Sequence, residues 1–454
     1  MDEPSVDTLL SPYFSLHDGG ERAFSVEAAS VKFGPGVLAE VGADVRALGL
    51  QRVALFTDPR VRLLPPFEIA YTSLIRAGLD VVVYDGIVVE PTERSVGDAA
   101  VFAREAAVDG FVSLGGGSTV DTTKVANLLS SWPAPLLDYV NAPAGRALPV
   151  PGPLKPHVAC PTTFGTASET TGIAVFDLAG KATKTGIVSR RIRPTLGVLD
   201  PDNLAHLPPT VVAANGFDVL SHAIESYTAR PFTARPAPAE PGLRPLSQGA
   251  NPLGDLACLE AILRCSSNLQ RALDDPAHRP ARQALMFAGL LAGIGFGNSG
   301  CHLPHAMSYP VSSPVAGKAL AFRAPDYPAG KPLVPHGIAV IVNAPAALRF
   351  TATASPQRHR LALAALAEDG IAGSNRAAAD CTDAEVGDLL ADRLSRLMRA
   401  AGIPNGLTGL GYGREDIDRL ADGAFQQKRL VDNAPVAVSL DALRSIYRTA
   451  FSYW

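Results

Sequence analysis

Hydrophobic positions in the first half of the chain come in short, nearly unbroken β-branched runs. The clearest are residues 52–57 (RVALFT), 80–84 (DVVVY) and 110–114 (GFVSL). Runs of this kind predict parallel strands buried on both faces, with helices between them, as in a doubly wound, Rossmann-like sheet. Shorter runs at 158–160, 173–176 and 196–199 continue the series. After Pro208 and Pro209 the period changes. Residues 211–228, 255–273 and 281–297 carry apolar positions at helical spacing, and β-branched runs become rare. Thr210 is the expected N-cap of the first of these helices. The pattern therefore divides into an α/β domain over 1–205 and an all-helical domain over 206–454.

Two stretches break the helical pattern. Residues 231–252 contain six prolines, and residues 312–335 are interrupted by Pro314, Pro325, Pro328, Pro332 and Pro335. Long loops inside a compact domain are more often functional than idle.

With 454 residues the chain can bury a large core, and a 19% share of charged residues suits a compact soluble enzyme. A net charge of -4 gives no general attraction to nucleic acid or anionic membrane, and no apolar run approaches the roughly 18–20 residues that span a bilayer. The acidic start, MDEPSVD, has the form of neither a secretory signal nor an Arg-rich transit peptide. The five cysteines include no CxxC pair and read as reduced thiols, so a cytoplasmic protein is expected.

Candidate chemistry is concentrated in three places. Gly115-Gly116-Gly117-Ser118-Thr119-Val120-Asp121 follows a predicted strand and opens a predicted helix. Glycines let the backbone approach a pyrophosphate, and the helix start offers unpaired N–H groups. Asp58, just past the first of the three strands, can accept from an adenosine ribose hydroxyl and would repel the extra phosphate of NADP, which favours NAD. A second small-residue loop, 161–169 (PTTFGTASE), offers Thr162, Thr163 and Thr166 to phosphate or nicotinamide.

The third place is a set of imidazoles and a carboxylate. Asp218 and His222 stand four apart on a predicted helix, hence on one face. His305 and His336 each lie beside a helix breaker or in a loop. One carboxylate and three neutral imidazoles suit Fe(II) or Zn(II) with a position open for a substrate oxygen. His302, three residues before His305, competes for the third place, and spacing does not choose between them. A divalent ion beside a dinucleotide implies hydride transfer at a polarised carbonyl or alcohol carbon.

These motifs, together with HAMSYP (305–310) and PHG (335–337), resemble the iron-containing alcohol dehydrogenase superfamily across nearly the full length. LDYVNAP (137–143), TLGVLDP (195–201), QGANPLGDL (248–256) and GIGFGNSG (293–300) are most similar to its hydroxyacid-oxoacid transhydrogenase branch. The resemblance implies that the first domain binds a dinucleotide and the helical second domain a metal, with the active site in the cleft between them. It implies that Asp218, His222, His305 and His336 hold the metal, which decides for His305 over His302. It also implies dinucleotide contacts from Asp58, Gly116, Gly117, Ser118, Thr162, Thr163 and Lys184; Asp121 and Thr166, in the same two loops, complete the candidate set.

For that branch it implies oxidation of 4-hydroxybutyrate to succinate semialdehyde with reduction of 2-oxoglutarate to 2-hydroxyglutarate. The alternative is an NAD-dependent dehydrogenase of a small alcohol or aldehyde, and a homodimer is expected in either case. The sequence departs from the family in three places. Tyr309 stands where many members carry a proton-relaying histidine; its hydroxyl can pass a proton but is a weak base at neutral pH. Ala167 replaces a usual glycine, at a cost if that position needs φ > 0. Pro304 pins the approach to His305.

Overall fold

The computed structural model describes residues 13, 17–178, 183–312, 320, 322–327, 333–367, 378 and 380–454. Eight strands form: β1 (Ser30–Phe33), β2 (Arg52–Thr57), β3 (Asp80–Tyr84), β4 (Gly110–Gly115), β5 (His157–Pro161), β6 (Ile173–Leu178), β7 (Thr183–Val188) and β8 (Leu196–Leu199). Six of them make one parallel sheet in the order β1-β8-β5-β4-β2-β3. In β2, Val53 and Leu55 enter one apolar cluster while Ala54 and Phe56 enter another on the opposite face. Both faces are covered, so the run shows no polar alternation.

Helices α1 (Val41–Ala47), α2 (Pro65–Arg76), α3 (Glu93–Glu105), α4 (Gly117–Ser131) and α5 (Leu136–Tyr139) belong to this half. The chain leaves β2 toward β3 on one side and leaves β4 toward β5 on the other. The carboxyl ends of β2 and β4 therefore border the switch point where open α/β sheets bind ligands.

Two sequence expectations need correction here. The run at 173–176 is not in the main sheet; β6 pairs antiparallel with β7 as a separate two-stranded ribbon. Its burial alternates along the strand, as a half-covered ribbon requires. Thr210 is not an N-cap: the first long helix of the second half begins at Pro209 with Pro208 in the cap position and no side-chain cap. Proline has no N–H to leave unpaired and its φ is already helical, so it can open a helix by itself.

That helix, α6 (Pro209–Thr228), is the axis of the helical half. From Val212 to Thr228 every residue except Asn215 is buried, as expected for a helix surrounded by others. Against it pack α7 (Pro252–Asp274), α8 (Arg279–Ser299), α9 (Leu303–Ser312) and α10 (His336–Ile341). The remaining helices are α11 (Ala344–Ala352), α12 (Pro356–Ala365), α13 (Val386–Ala400), α14 (Gly406–Leu410), α15 (Ile417–Phe425), α16 (Lys428–Val431) and α17 (Leu440–Thr449). Among the described residues no single helix is long and apolar enough to cross a membrane. The 231–252 stretch is a loop with two short 3-10 turns, whereas much of 312–335 lies outside the described residues.

Candidate active site between sheet and helices

The glycine-rich turn ends β4 and starts α4, whose N-cap is Gly116 with no side-chain cap. A Cβ on Gly117 would stand 2.6 Å from the Thr166 side chain, so only glycine lets this turn and the 161–169 loop touch. The two loops are also tied by Thr162 N–H donating to the Gly115 carbonyl at 2.9 Å. Between them opens a cleft of about 390 Å³ that brings together Asp58, Gly116, Gly117, Ser118, Thr162, Thr163 and Thr166. Asp58 uses Oδ1 to accept from the backbone N–H groups of Arg60 (2.9 Å) and Val61 (3.0 Å), which fixes its carboxylate at the cleft.

Asp121 and Lys184 face a different space. Both line a second cavity of about 120 Å³, walled by the histidine cluster and also bordered by Gly117, Ser118 and Thr166. Asp121 accepts from the Ser168 hydroxyl and, at 2.9 Å, from the Val175 N–H. Lys184 is buried between Glu90 and Asp177, the latter at 3.4 Å. Burial disfavours its charge, but Glu90 and Asp177 outweigh that and keep the ammonium charged.

The four candidate metal ligands converge from three helices. Asp218 and His222 project from one face of α6, His305 from the first turns of α9, and His336 is the first residue of α10. One donor atom from each lies within 4.8 Å of all the others. From Asp218 Oδ1 the distances to His222 Nδ1, His305 Nε2 and His336 Nε2 are each 3.7 Å. That is too long for a hydrogen bond and close to the separation, about 3.3–3.6 Å, of donors sharing one tetrahedral ion with ~2.0–2.2 Å bonds.

Asp218 Oδ1, His222 Nδ1 and His305 Nε2 are buried with no hydrogen-bond partner. A folded protein rarely leaves three such atoms facing each other, and a cation satisfies all of them at once. Burial lowers His222 to about 3, so its ring is neutral as a ligand must be. Burial would raise Asp218, yet the histidines outweigh it and hold the carboxyl at about 2.

Glu225, which sequence reading missed, orients this cluster. Its Oε1 lies 2.6 Å from His305 Nδ1, and its Oε2 accepts from the N–H groups of His302 (2.8 Å) and His305 (3.2 Å). A carboxylate only accepts, so the proton sits on Nδ1 and Nε2, aimed at Asp218, is the nitrogen left to bind an ion. The signal was available: 218, 222 and 225 fall on one helical face. His302 has both ring nitrogens occupied, Nε2 by the Thr228 hydroxyl at 3.0 Å and Nδ1 by the Leu303 N–H at 2.7 Å. It therefore drops out of the ligand set.

Phe296 of α8 stacks on His222, with centroids 4.0 Å apart and planes 11° from parallel, and walls the second cavity. Tyr309 is buried one helical turn beyond His305, its ring centroid 6.4 Å from that of His336. Glu90, also missed, adopts φ 54° and borders both cavities. Ala167 does adopt positive φ, 45°. Gly293 of α8 leaves room for its methyl, since a Cβ there would lie 2.4 Å from the Ala167 Cβ. Pro304 occupies the first turn of α9, as an imino acid can.

The iron-containing alcohol dehydrogenase family model matches residues 28–201, and the Fe-containing alcohol dehydrogenase C-terminal model matches 246–323 and 328–451. The chain belongs to the iron-containing alcohol dehydrogenase family. It is an oxidoreductase acting on small molecules. Among curated iron-containing alcohol dehydrogenase relatives, the mitochondrial hydroxyacid-oxoacid transhydrogenase of Mus musculus is 44% identical over 436 residues, 96% of this chain and 91% of that protein. The Homo sapiens protein of the same name is 42% identical over the same span.

A solved 1,3-propanediol oxidoreductase superposes with TM-score 0.80 at 26% identity, covering 95% of this chain and 100% of that one. A sulfoacetaldehyde reductase from Bifidobacterium kashiwanohense in complex with NAD+ shares the fold, with TM-score 0.74 at 23% identity over 95% and 98% of the two chains. One expectation is overturned by these relatives: the transhydrogenases are named mitochondrial, not cytoplasmic. Reduced thiols suit either compartment, so cysteine usage could not separate them.

Proposed function

We propose that this member of the family is a hydroxyacid-oxoacid transhydrogenase that oxidises 4-hydroxybutyrate to succinate semialdehyde and reduces 2-oxoglutarate to 2-hydroxyglutarate. Per cycle one hydride leaves the carbinol carbon of the first acid and one arrives at the carbonyl carbon of the second. One hydroxyl proton is released and one is taken up, so the reaction balances without an external oxidant. The reading rests chiefly on one observation: Asp218 and His336 border both the nucleotide-side cleft and the second cavity. A reacting oxygen held there can have its carbon within reach of a cofactor in the cleft. The 44% identity to a named transhydrogenase favours this branch over a simple alcohol dehydrogenase.

In this reading Asp218, His222, His305 and His336 hold a divalent ion, Fe(II) by family or Zn(II) by donor type. The first domain, 1–205, holds NAD through Asp58, Gly116, Gly117, Ser118, Thr162, Thr163 and Thr166, while Asp121 and Lys184 support its nicotinamide end from the cavity side; the second domain, 206–454, carries the metal. When bound, the nicotinamide carries the hydride between the two half-reactions and the ion acts as a Lewis acid on the substrate oxygen. Phe296 and Leu430 keep bulk water from the reacting carbon. The Tyr309 hydroxyl passes the proton.

A homodimer is part of the same proposal. Its support is edge strand β1, which leaves Val31 and Phe33 exposed. Incubating purified, metal-loaded enzyme with 4-hydroxybutyrate and 2-oxoglutarate, without added NAD, tests the activity. Formation of 2-hydroxyglutarate in step with succinate semialdehyde is expected. Strict dependence on added NAD, with no acceleration by 2-oxoglutarate, defeats the reading in favour of an ordinary alcohol dehydrogenase.

A further inference from the structure

The metal-side cavity has a charge imbalance at its outer end. Helix α16 is a single turn, held in place by the buried Leu430 and Val431, which cluster with Ala167, Phe296, Cys301 and Tyr309. That anchoring sets the preceding residue, Arg429, in the wall of the cavity that also contains Asp218, His222 and His305. Arg429 also borders the adjoining outer space with Lys428. It stands where solvent meets the inner chamber.

The cavity's other charged groups already have roles. Lys184 is engaged by Glu90 and Asp177, Asp121 by Ser168 and Val175, and Asp218 faces the histidines. No carboxylate among the described residues pairs with Arg429. The same cavity is lined by the apolar Ile173, Val175, Phe296 and Leu430, with the hydroxyl side chains of Ser168, Thr171 and Tyr309 among them.

We infer that Arg429 receives the substrate carboxylate remote from the reacting carbon and so selects ω-carboxylate substrates. The inference rests on the transhydrogenase reading. That reading asks one chamber to accept two different acids in turn, and their shared part is a reacting carbon, two methylenes and a carboxylate. In 4-hydroxybutyrate that carboxylate is the only one; in 2-oxoglutarate it is the distal one. One cavity that offers the metal cluster for the reacting carbon, apolar side chains for two methylenes and a guanidinium for the carboxylate suits that shared part. Guanidinium suits the task because its planar donors bind a carboxylate in parallel pairs.

The test compares wild type, Arg429→Gln and Arg429→Lys in the full-length, metal-loaded enzyme. Single-turnover reduction of the nicotinamide is followed with 4-hydroxybutyrate and with 1-butanol, which has the same carbon count and no charge. The selectivity ratio, acid over alcohol, is expected to fall about 10- to 100-fold in Arg429→Gln, the range for losing a hydrogen bond to a charged group, with partial recovery in Arg429→Lys. An unchanged ratio, including equal losses on both substrates, overturns the inference. Wild-type enzyme that is reduced by 4-hydroxybutyrate but not reoxidised by 2-oxoglutarate defeats the transhydrogenase reading instead, and the Arg429 ratio still stands as a separate result.

Discussion

Glu225→Gln separates orientation of the metal ligands from mere filling of space. The side chain is fully buried and nearly the same size after the change. The amide, however, keeps one accepting oxygen where the carboxylate had two. Two backbone N–H groups, from His302 and His305, converge on Oε2 at 2.8 and 3.2 Å, so the remaining oxygen is drawn there. The amide nitrogen then faces His305 Nδ1 at the 2.6 Å contact and can only donate. His305 must answer by accepting at Nδ1, which moves its proton to Nε2, the atom aimed at Asp218.

A protonated Nε2 cannot bind an ion. Reversing the tautomer should weaken metal binding about 10- to 100-fold, the usual cost of losing such an outer partner, or about 1.4–2.7 kcal/mol. Competition against a chelator of known affinity measures it, with thermal unfolding of the metal-free proteins as the control for packing. Equal metal affinity in Glu225→Gln and wild type would refute the tautomer argument.

Other substitutions probe the close approaches that build the site. In Gly337→Ala the new Cβ would fall 1.9 Å from the Ala214 carbonyl oxygen and 3.0 Å from the Asp218 Cβ, pushing α10 off α6; a loss of about 1–3 kcal/mol in stability and poor metal retention are expected by denaturant titration and metal analysis. Gly117→Ala sets a methyl 2.6 Å from Thr166, so NAD affinity should fall at least tenfold by fluorescence titration while metal content stays at one ion per chain.

Acidification should destabilise the fold, because burial holds His157 at about 3 and His359 at about 4, below their value near 6.5 in the unfolded chain. The unfolded chain then binds more protons, so stability is full above about pH 6.5 and declines toward pH 4 by roughly 1.4 kcal/mol per unit for each histidine. Urea midpoints at pH 7.5, 6 and 5 check the sign, and a rise on acidification contradicts it.

Strands β2, β4, β5 and β8 were legible because parallel strands covered on both faces leave an unbroken apolar run; β3, at the sheet edge and only half-buried, showed through its Val81-Val82-Val83 run. Edge strand β1 was not: three of its four positions are exposed, so Ser30–Phe33 carries no such run. The quartet that the structure brings together was nameable from motifs as candidate ligands, but Glu225 was overlooked although it shares a helical face with Asp218 and His222. Glu90 and Arg429 could not have been found this way. They reach the site from a turn and from a one-turn helix, far along the chain from the candidate ligands, and no periodicity marks such positions.

Hydride transfer demands that cofactor and metal keep a fixed separation, yet each is expected on a different half of the chain. Asn215 shows how that register can be kept. It is three residues before Asp218 on α6, and its Oδ1 accepts from the N–H groups of Phe164 (3.0 Å) and Gly165 (2.7 Å) in the threonine-rich loop. Its Nδ2 is locked in turn to the Val211 carbonyl at 2.7 Å. From the other side, Gly289 of α8 lets the same loop lie against helix backbone, since a Cβ there would stand 2.1 Å from the Phe164 carbonyl oxygen. The loop that borders the candidate nucleotide cleft is thus clamped between two helices of the helical half, one of which carries two of the candidate ligands. Small movements of α6 carry both partners of the reaction together, which is how a site split between sheet and helices holds a near-contact geometry.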